Sequence, residues 1–143
     1  MFRPMRRVDR ATTTEKAYEI LKAAPYGVFT LYGDDDYPYG VPVNHIVIDS
    51  DIYFHVANEG KKSDSFLLNN KCGFTAVSFH EVVPEKITTK YASAICMGLA
   101  HTVEGEEKMN ALIEIMNVYA NDFLESNMDN IKNSMKRLKI IKI

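Results

Sequence analysis

Tyr37-Pro38-Tyr39-Gly40-Val41-Pro42-Val43-Asn44 and Ile52-Tyr53-Phe54-His55-Val56-Ala57-Asn58-Glu59-Gly60-Lys61-Lys62-Ser63 are the two stretches on which the fold of this chain turns. Pro42 removes a donor from any strand ladder it enters, which confines its strand to a sheet edge or to the side of a bound group. Asn44 is costly inside a strand unless its amide finds partners. The pair fits a strand beside a ligand, and it fits equally an edge proline with a turn-facing asparagine. In the second stretch a strand ends at Ala57, Gly60 follows, and two lysines open a helix. The N–H groups of a helix start attract an anion, whereas lysines in that first turn oppose the helix dipole. A phosphate held by Lys61, Lys62 and the Ser63 hydroxyl or N–H reconciles the two; solvated surface lysines are the alternative. Alternation along the strand puts Ile52, Phe54 and Val56 on one face and Tyr53, His55 and Ala57 on the other. With the aliphatic face inward, His55 lies outside, beside the proposed anion site, as a structural hydrogen-bonder or as a chemically active group.

The flanking sequence predicts the rest of the order. Thr12 and Glu15 have capping-box spacing, Ala17, Ile20, Leu21 and Ala24 follow at helical intervals, and Pro25 ends that helix. Strands are predicted over Tyr26–Tyr32, Gly40–Ile48 and Ile52–Ala57, joined by turns at Gly33–Asp36 and Asp49–Asp51, and hence antiparallel. Lys61–Asn69 is predicted as a short helix with Phe66 and Leu67 inward. Cys72–Phe79 and Tyr91–Val103 read as strands, with His80–Lys90 a hairpin extension or loop between them. Gly105–Ala120 is amphipathic, with Met109, Leu112, Ile113, Met116 and Tyr119 on one face. Asp122–Met135 reads as a further helix and Lys136–Ile143 as a final strand. Six strands with peripheral helices predict a mainly β fold, a small closed or partly closed antiparallel barrel formed by residues 1–143 as one domain. No G-x-G-x-x-G follows a strand, and no P-loop, G-x-S-x-G or kinase signature is present.

The chain has 143 residues, 46% hydrophobic and 25% charged, with a net charge of −2. That charge is uneven: residues 1–10 carry +3, residues 132–143 carry +5, and the body between them carries 8 basic against 18 acidic residues. An acidic body speaks against nucleic acid as a partner, because phosphate backbones need a concentrated basic face. The best apolar run, Tyr91–Ala100, is interrupted by Ser93 and falls far short of a membrane span. No apolar signal region follows the first residues. Cys72 and Cys96 have no metal or redox spacing and read as buried free thiols of a cytoplasmic protein. The histidines at 45, 80 and 101 carry no motif, and no metal site is predicted.

The segments Met5–Arg10, Tyr26–Val28, Tyr37–Asn44, Ile52–Ser63 and Tyr91–Val103 together resemble the flavin-binding split-barrel superfamily of pyridoxamine 5'-phosphate oxidase-like proteins. Among its branches the chain is most similar to the nitroimidazole-resistance proteins. The resemblance implies a six-stranded antiparallel split β-barrel with peripheral α-helices, and a homodimer holding FMN in clefts between protomers. It implies that Pro42, Val43 and Asn44 run along the flavin ring, that His55, Val56 and Ala57 line it, and that Lys61, Lys62 and Ser63 take its phosphate. Tyr91, Ala92 and Ser93 would reach the site from the partner protomer, although Ala92 stands where relatives often carry a larger or basic residue. On this basis the chain is expected to be an FMN-dependent oxidoreductase acting on a small electrophile such as a nitroaromatic, with His55 as its catalytic group. The alternative is a flavin- or haem-binding protein or sensor on the same barrel, without turnover. No equivalent of the arginine and histidine set that holds pyridoxal phosphate in the true oxidases is present. A weaker third reading makes the basic C-terminal segment, Lys136–Ile143, an interaction module.

Overall fold

A computed structural model describes residues 2–123 and 128–143. In chain order the helices are α1 (Thr14–Ala23), α2 (Lys61–Leu68), α3 (Gly105–Ala120) and α4 (Met128–Ser134). The strands are β1 (Gly27–Tyr32), β2 (Pro38–Val43), β3 (Ile46–Ile48), β4 (Asp51–Ala57), β5 (Lys71–Val83), β6 (Thr88–Leu99), β7 (His101–Val103) and β8 (Leu138–Lys142). They form two antiparallel four-stranded sheets, ordered β2-β1-β5-β6 and β3-β4-β8-β7. The fold is mainly β with helices at the periphery, consistent with a split barrel. It is not six strands in one closed barrel.

The count rises from six to eight because two predicted strands break where they change sheets. The predicted strand Gly40–Ile48 is β2 and β3, separated by Asn44 and His45. The predicted Tyr91–Val103 is β6 and β7, separated at Ala100, whose N–H leaves the ladder and donates to the Asn70 carbonyl at 2.8 Å. A period-2 pattern runs through such a crossing unchanged, so alternation alone does not reveal it. The segment His80–Lys90, read as a hairpin extension or loop, is a hairpin extension, β5 continuing to Val83 and β6 starting at Thr88.

The sheets close on an aromatic core. Phe29 and Phe54 rings lie 4.9 Å apart and Phe54 and Phe74 rings 6.1 Å apart, all three fully buried. Ile52, Phe54 and Val56 face this core, as alternation predicts. Leu21 of α1 and Phe66 of α2 close two of its sides. Leu67, predicted inward, is 66% exposed, because α2 buries Ser63, Ser65 and Phe66 instead. A second cluster covers the opposite face of the β4 sheet, where Tyr53 and Ile140 meet Ala111, Leu112 and Ile115 of α3 and Ile131 of α4. Tyr53 is therefore buried under α3 rather than outside, its hydroxyl donating to Glu107 at 2.8 Å. The buried stripe of α3 is Lys108, Ala111, Leu112 and Ile115; of the predicted face Leu112 is buried and Met116 packs against the cluster, while Met109 and Ile113 are only half-buried. The α1 cap is Thr13, which accepts from the Lys16 N–H, rather than Thr12. Of the predicted helix Asp122–Met135, the structure shows a 3-10 turn at Asn121–Phe123 and α4; residues 124–127 lie outside the described residues. Cys72 is a buried free thiol and Cys96 a half-buried one; burial pushes the Cys72 thiol up to about 11 and leaves it protonated. Among the described residues no helix is long and apolar enough to cross a membrane.

His45 sits in the first crossing, 3% exposed, its ring edge-on to Phe74 at 4.9 Å. Its Nε2 lies 2.8 Å from the Leu21 carbonyl, which only accepts, so the neutral ring carries its proton on Nε2. Burial holds the His45 pKa below the usual histidine range, only partly offset by that carbonyl. The unfolded chain therefore binds the proton more readily than the folded one, and the His45 contribution to stability is complete above the unfolded value. It declines as pH falls below about 6.5 toward the lowered folded value. The expected result is a denaturation midpoint that drops on acidification through this window, with a shallower drop in His45→Gln, followed by urea unfolding between pH 7 and 5.

Candidate anion and ring-binding site

Helix α2 starts at Lys61. Its N-cap is Gly60, with φ 116° and no side-chain cap, so the first-turn N–H groups have no capping acceptor. A Cβ at Gly60 would meet nothing within 4 Å, and its backbone conformation is one that side-chain-bearing residues rarely adopt. The approach to the helix end is therefore open. Two ties fix α2 against the β1–β2 turn: Lys61 Nζ lies 2.6 Å from Asp35 Oδ2, and the Asp34 N–H donates to Ser65 Oγ at 3.1 Å.

The two lysines have different environments. Lys61 bonds to Asp35 and lies over the Tyr39 ring at 5.1 Å, and the Asp35 carboxylate raises its pKa. Lys62 is half-buried and makes no ion pair or hydrogen bond among the described residues. It is the cation left for an incoming anion. Ser63 is 1% exposed and its hydroxyl faces inward, donating to the Ala57 carbonyl at 3.1 Å. Its hydroxyl is engaged within the fold and does not face solvent.

Sequence reasoning missed Lys139. From β8 its Nζ donates to the Asn58 carbonyl at 2.9 Å and to Ser63 Oγ at 3.1 Å, bracing the turn that leads into α2. Asn58 Nδ2 adds a bond to the Lys136 carbonyl at 2.9 Å. The basic segment 136–143 was therefore part of this site's frame, a role that local patterning cannot register because it depends on β8 pairing with β4, Val56 opposite Lys139.

His55 and Ala57 are exposed on the outer face of β4, while the Val56 side chain is 2% exposed in the core, so only its backbone faces outward. Partial burial of the ring first, and the Lys62 ammonium second, hold the His55 pKa below the usual range. His55 is thus neutral beside a charged lysine at neutral pH. β3 starts with Ile46 opposite Tyr53, so the chain preceding it, Asn44 and His45, runs at the His55 end of β4. Asn44 is exposed, and its amide makes no hydrogen bond among the described residues. Val43 is buried, and Pro42 pairs with Val28 on the edge strand β2, a position that accommodates proline without any ligand. The β3–β4 register brings Asn44 toward His55, and Lys62 is close enough to His55 to repel its imidazolium.

Tyr91, Ala92 and Ser93 lie in the other sheet, on edge strand β6, where they border a cavity of about 370 Å³ with Arg10, Thr12 and Ser78. Arg10 Nη1 donates to the Tyr91 hydroxyl at 3.4 Å.

A family model described as pyridoxamine 5'-phosphate oxidase matches residues 13–140. The chain belongs to this family. No curated protein matches the sequence at a significant level. Among solved structures, a candidate 5-nitroimidazole antibiotic resistance protein from Bacteroides thetaiotaomicron is 23% identical with TM-score 0.74, covering 92% of this chain and 79% of that one. A conserved hypothetical protein from Mycobacterium tuberculosis is 14% identical with TM-score 0.80, covering 98% and 84%. An FAD- and haem-binding protein from Mycobacterium smegmatis is 11% identical with TM-score 0.69, covering 93% and 66%. At these identities the likeness shows a shared fold.

The His55–Lys62 coupling gives a direct check. Removing the ammonium in Lys62→Ala relieves repulsion of the imidazolium, so the His55 pKa is expected to rise toward the ordinary value in an NMR titration of the ring protons. An unchanged value would leave burial as the only cause.

Proposed function

We propose that this protein is an FMN-binding flavoprotein and an FMN-dependent oxidoreductase that reduces a small electrophile such as a nitroaromatic compound. The observation that carries the reading is the uncapped, glycine-opened start of α2 beside the one unpaired lysine of the turn, Lys62. A flavin phosphate fits there, accepting from the N–H groups of Lys61, Lys62 and Ser63 and pairing with the Lys62 ammonium. Family membership and the fold shared with a candidate nitroimidazole-resistance protein support the same reading.

FMN would supply the hydride or electron transfer. The chain's residues bind and orient. Asn44 offers an unengaged amide to the ring edge, and the Pro42–Val43 backbone flanks it. The backbone at Val56 and Ala57 forms the floor below His55. His55, neutral at neutral pH, can accept or donate a proton beside the ring or substrate. Lys61, held by Asp35, contributes mainly its N–H.

The working unit in this reading is a homodimer, with Tyr91, Ala92 and Ser93 of a second copy completing each site. The outer face of the β1-β5-β6 sheet supports it. Ile95, Met97 and Leu99 project from β6 at 71, 53 and 48% exposure, with Val77 beside them on β5, an apolar patch suited to a second copy.

Cofactor binding, turnover and molecular mass test the proposal. The purified protein is expected to show a flavin spectrum or to bind added FMN, with Lys62→Ala weakening Kd by about tenfold and Lys61→Ala by less. No flavin spectrum and no FMN binding sinks the idea. Tight FMN binding without turnover of a nitroimidazole under any reduced nicotinamide donor selects the non-catalytic alternative, and a Soret band on adding haem redirects it. Light scattering is expected to give a dimer mass, reduced to the monomer in Ile95→Glu; a wild-type monomer removes the shared site.

A further inference from the structure

The passage from β2 to β3 is the point at which the chain abandons one sheet before it has joined the other. The β1–β2 ladder ends with Val43 opposite Gly27, and the β3–β4 ladder starts with Ile46 opposite Tyr53. His45 lies between them at 3% exposure, with neither ladder to satisfy its backbone and no water to replace it.

A single phenol does so. The Tyr119 hydroxyl accepts from the His45 N–H at 3.0 Å and donates to the His45 carbonyl at 2.8 Å. It thereby takes the place of the residue that would face His45 across an antiparallel ladder. The His45 ring adds a third fixed point through the Leu21 carbonyl. α1 thus holds the side chain and α3 holds the backbone. Tyr119 itself is 37% exposed near the end of α3, and its neighbour Val118 is 63% exposed. The ring buries modest apolar area; its distinctive contribution is the hydroxyl.

We propose that Tyr119 is a positioning residue for the candidate flavin site, its hydroxyl clamping His45 so that Val43 and Asn44 keep a fixed place beside His55. The inference rests on the reading that these residues meet the flavin ring. With the clamp removed, His45 keeps a buried N–H and carbonyl without partners, and the crossing relaxes to find them. The amide of Asn44 moves with it, while the phosphate end at α2 is untouched. The expected signature is a change at the ring end of the ligand rather than at the phosphate end.

Tyr119→Phe keeps the ring and deletes both hydrogen bonds. Ile115→Val, one turn from Tyr119 on the same helix but without a hydrogen bond to His45, controls for general loosening of α3. In flavin-free protein the His45 amide is expected to exchange with solvent about tenfold faster in Tyr119→Phe than in Ile115→Val at matched thermal stability. In loaded protein Tyr119→Phe is expected to shift the flavin absorption band and midpoint potential, which Ile115→Val leaves in place. Equal His45 exchange in the two variants overturns the clamp whether or not flavin binds. Wild-type protein that binds FMN while Tyr119→Phe shows the same band and potential overturns the positioning role alone. Wild-type protein that binds no FMN overturns that role together with the reading beneath it.

Discussion

A polypeptide that leaves one sheet for another without a loop strands its own N–H and carbonyl groups in the interior, and the structure is organised around satisfying them. At His45 the Tyr119 phenol takes over both groups, while the Leu21 carbonyl fixes the His45 ring. At Ala100 the Asn70 carbonyl does. Because both crossings are provided for, two small sheets can close on Phe29, Phe54 and Phe74 instead of extending as one flat surface. The helices are placed by the same need: α1 and α3 lie where their side chains or carbonyls reach the first crossing. The candidate site opens at that crossing because it is where backbone and side chains are released from ladder geometry.

Charge is allotted with similar economy around the site. Lys61 goes to Asp35 and Lys139 to the Asn58 carbonyl and Ser63, leaving Lys62 as the free cation next to a neutral His55. In an acidic body, a lone unpaired ammonium at an uncapped helix start is a focused attractor for a dianion rather than a diffuse basic patch. The basic segment Lys136–Ile143, which in sequence suggested an interaction module, is drawn partly into this frame and partly into the Lys142 contacts with Asp51 and Glu107.

Much of this was legible from residue patterns. Alternation put His55 outside and Phe54 inside, and the bounds Gly105–Ala120 of α3 agree with the sequence reading. The Gly60-Lys61-Lys62 helix start was recognisable because two lysines in a first turn oppose the helix dipole. What escaped had non-local causes. The strand breaks left the period unchanged, so six strands were read where eight exist. Tyr53 shared a face with His55 in the pattern, yet α3 covers one and not the other. Ser63 was read as a ligand through its hydroxyl or its N–H, but the hydroxyl donates to the Ala57 carbonyl and accepts from Lys139, far away in sequence. Ser and Thr side chains are ambiguous in this way whenever a distant donor competes for them.

The brace on the anion turn has a kinetic meaning. Lys139 and the Asn58 carbonyl it holds are separated by 81 positions in the chain. Strand β4 and helix α2 can form early from neighbouring sequence, but the turn between them acquires its rigid shape only when β8 docks, which is among the most non-local pairings in the molecule. Such contacts close late because the chain loop they fix is long. The turn at Asn58–Gly60 therefore reaches its braced shape only once β8 has paired with β4, and the same pairing brings Ile141 into the aromatic core.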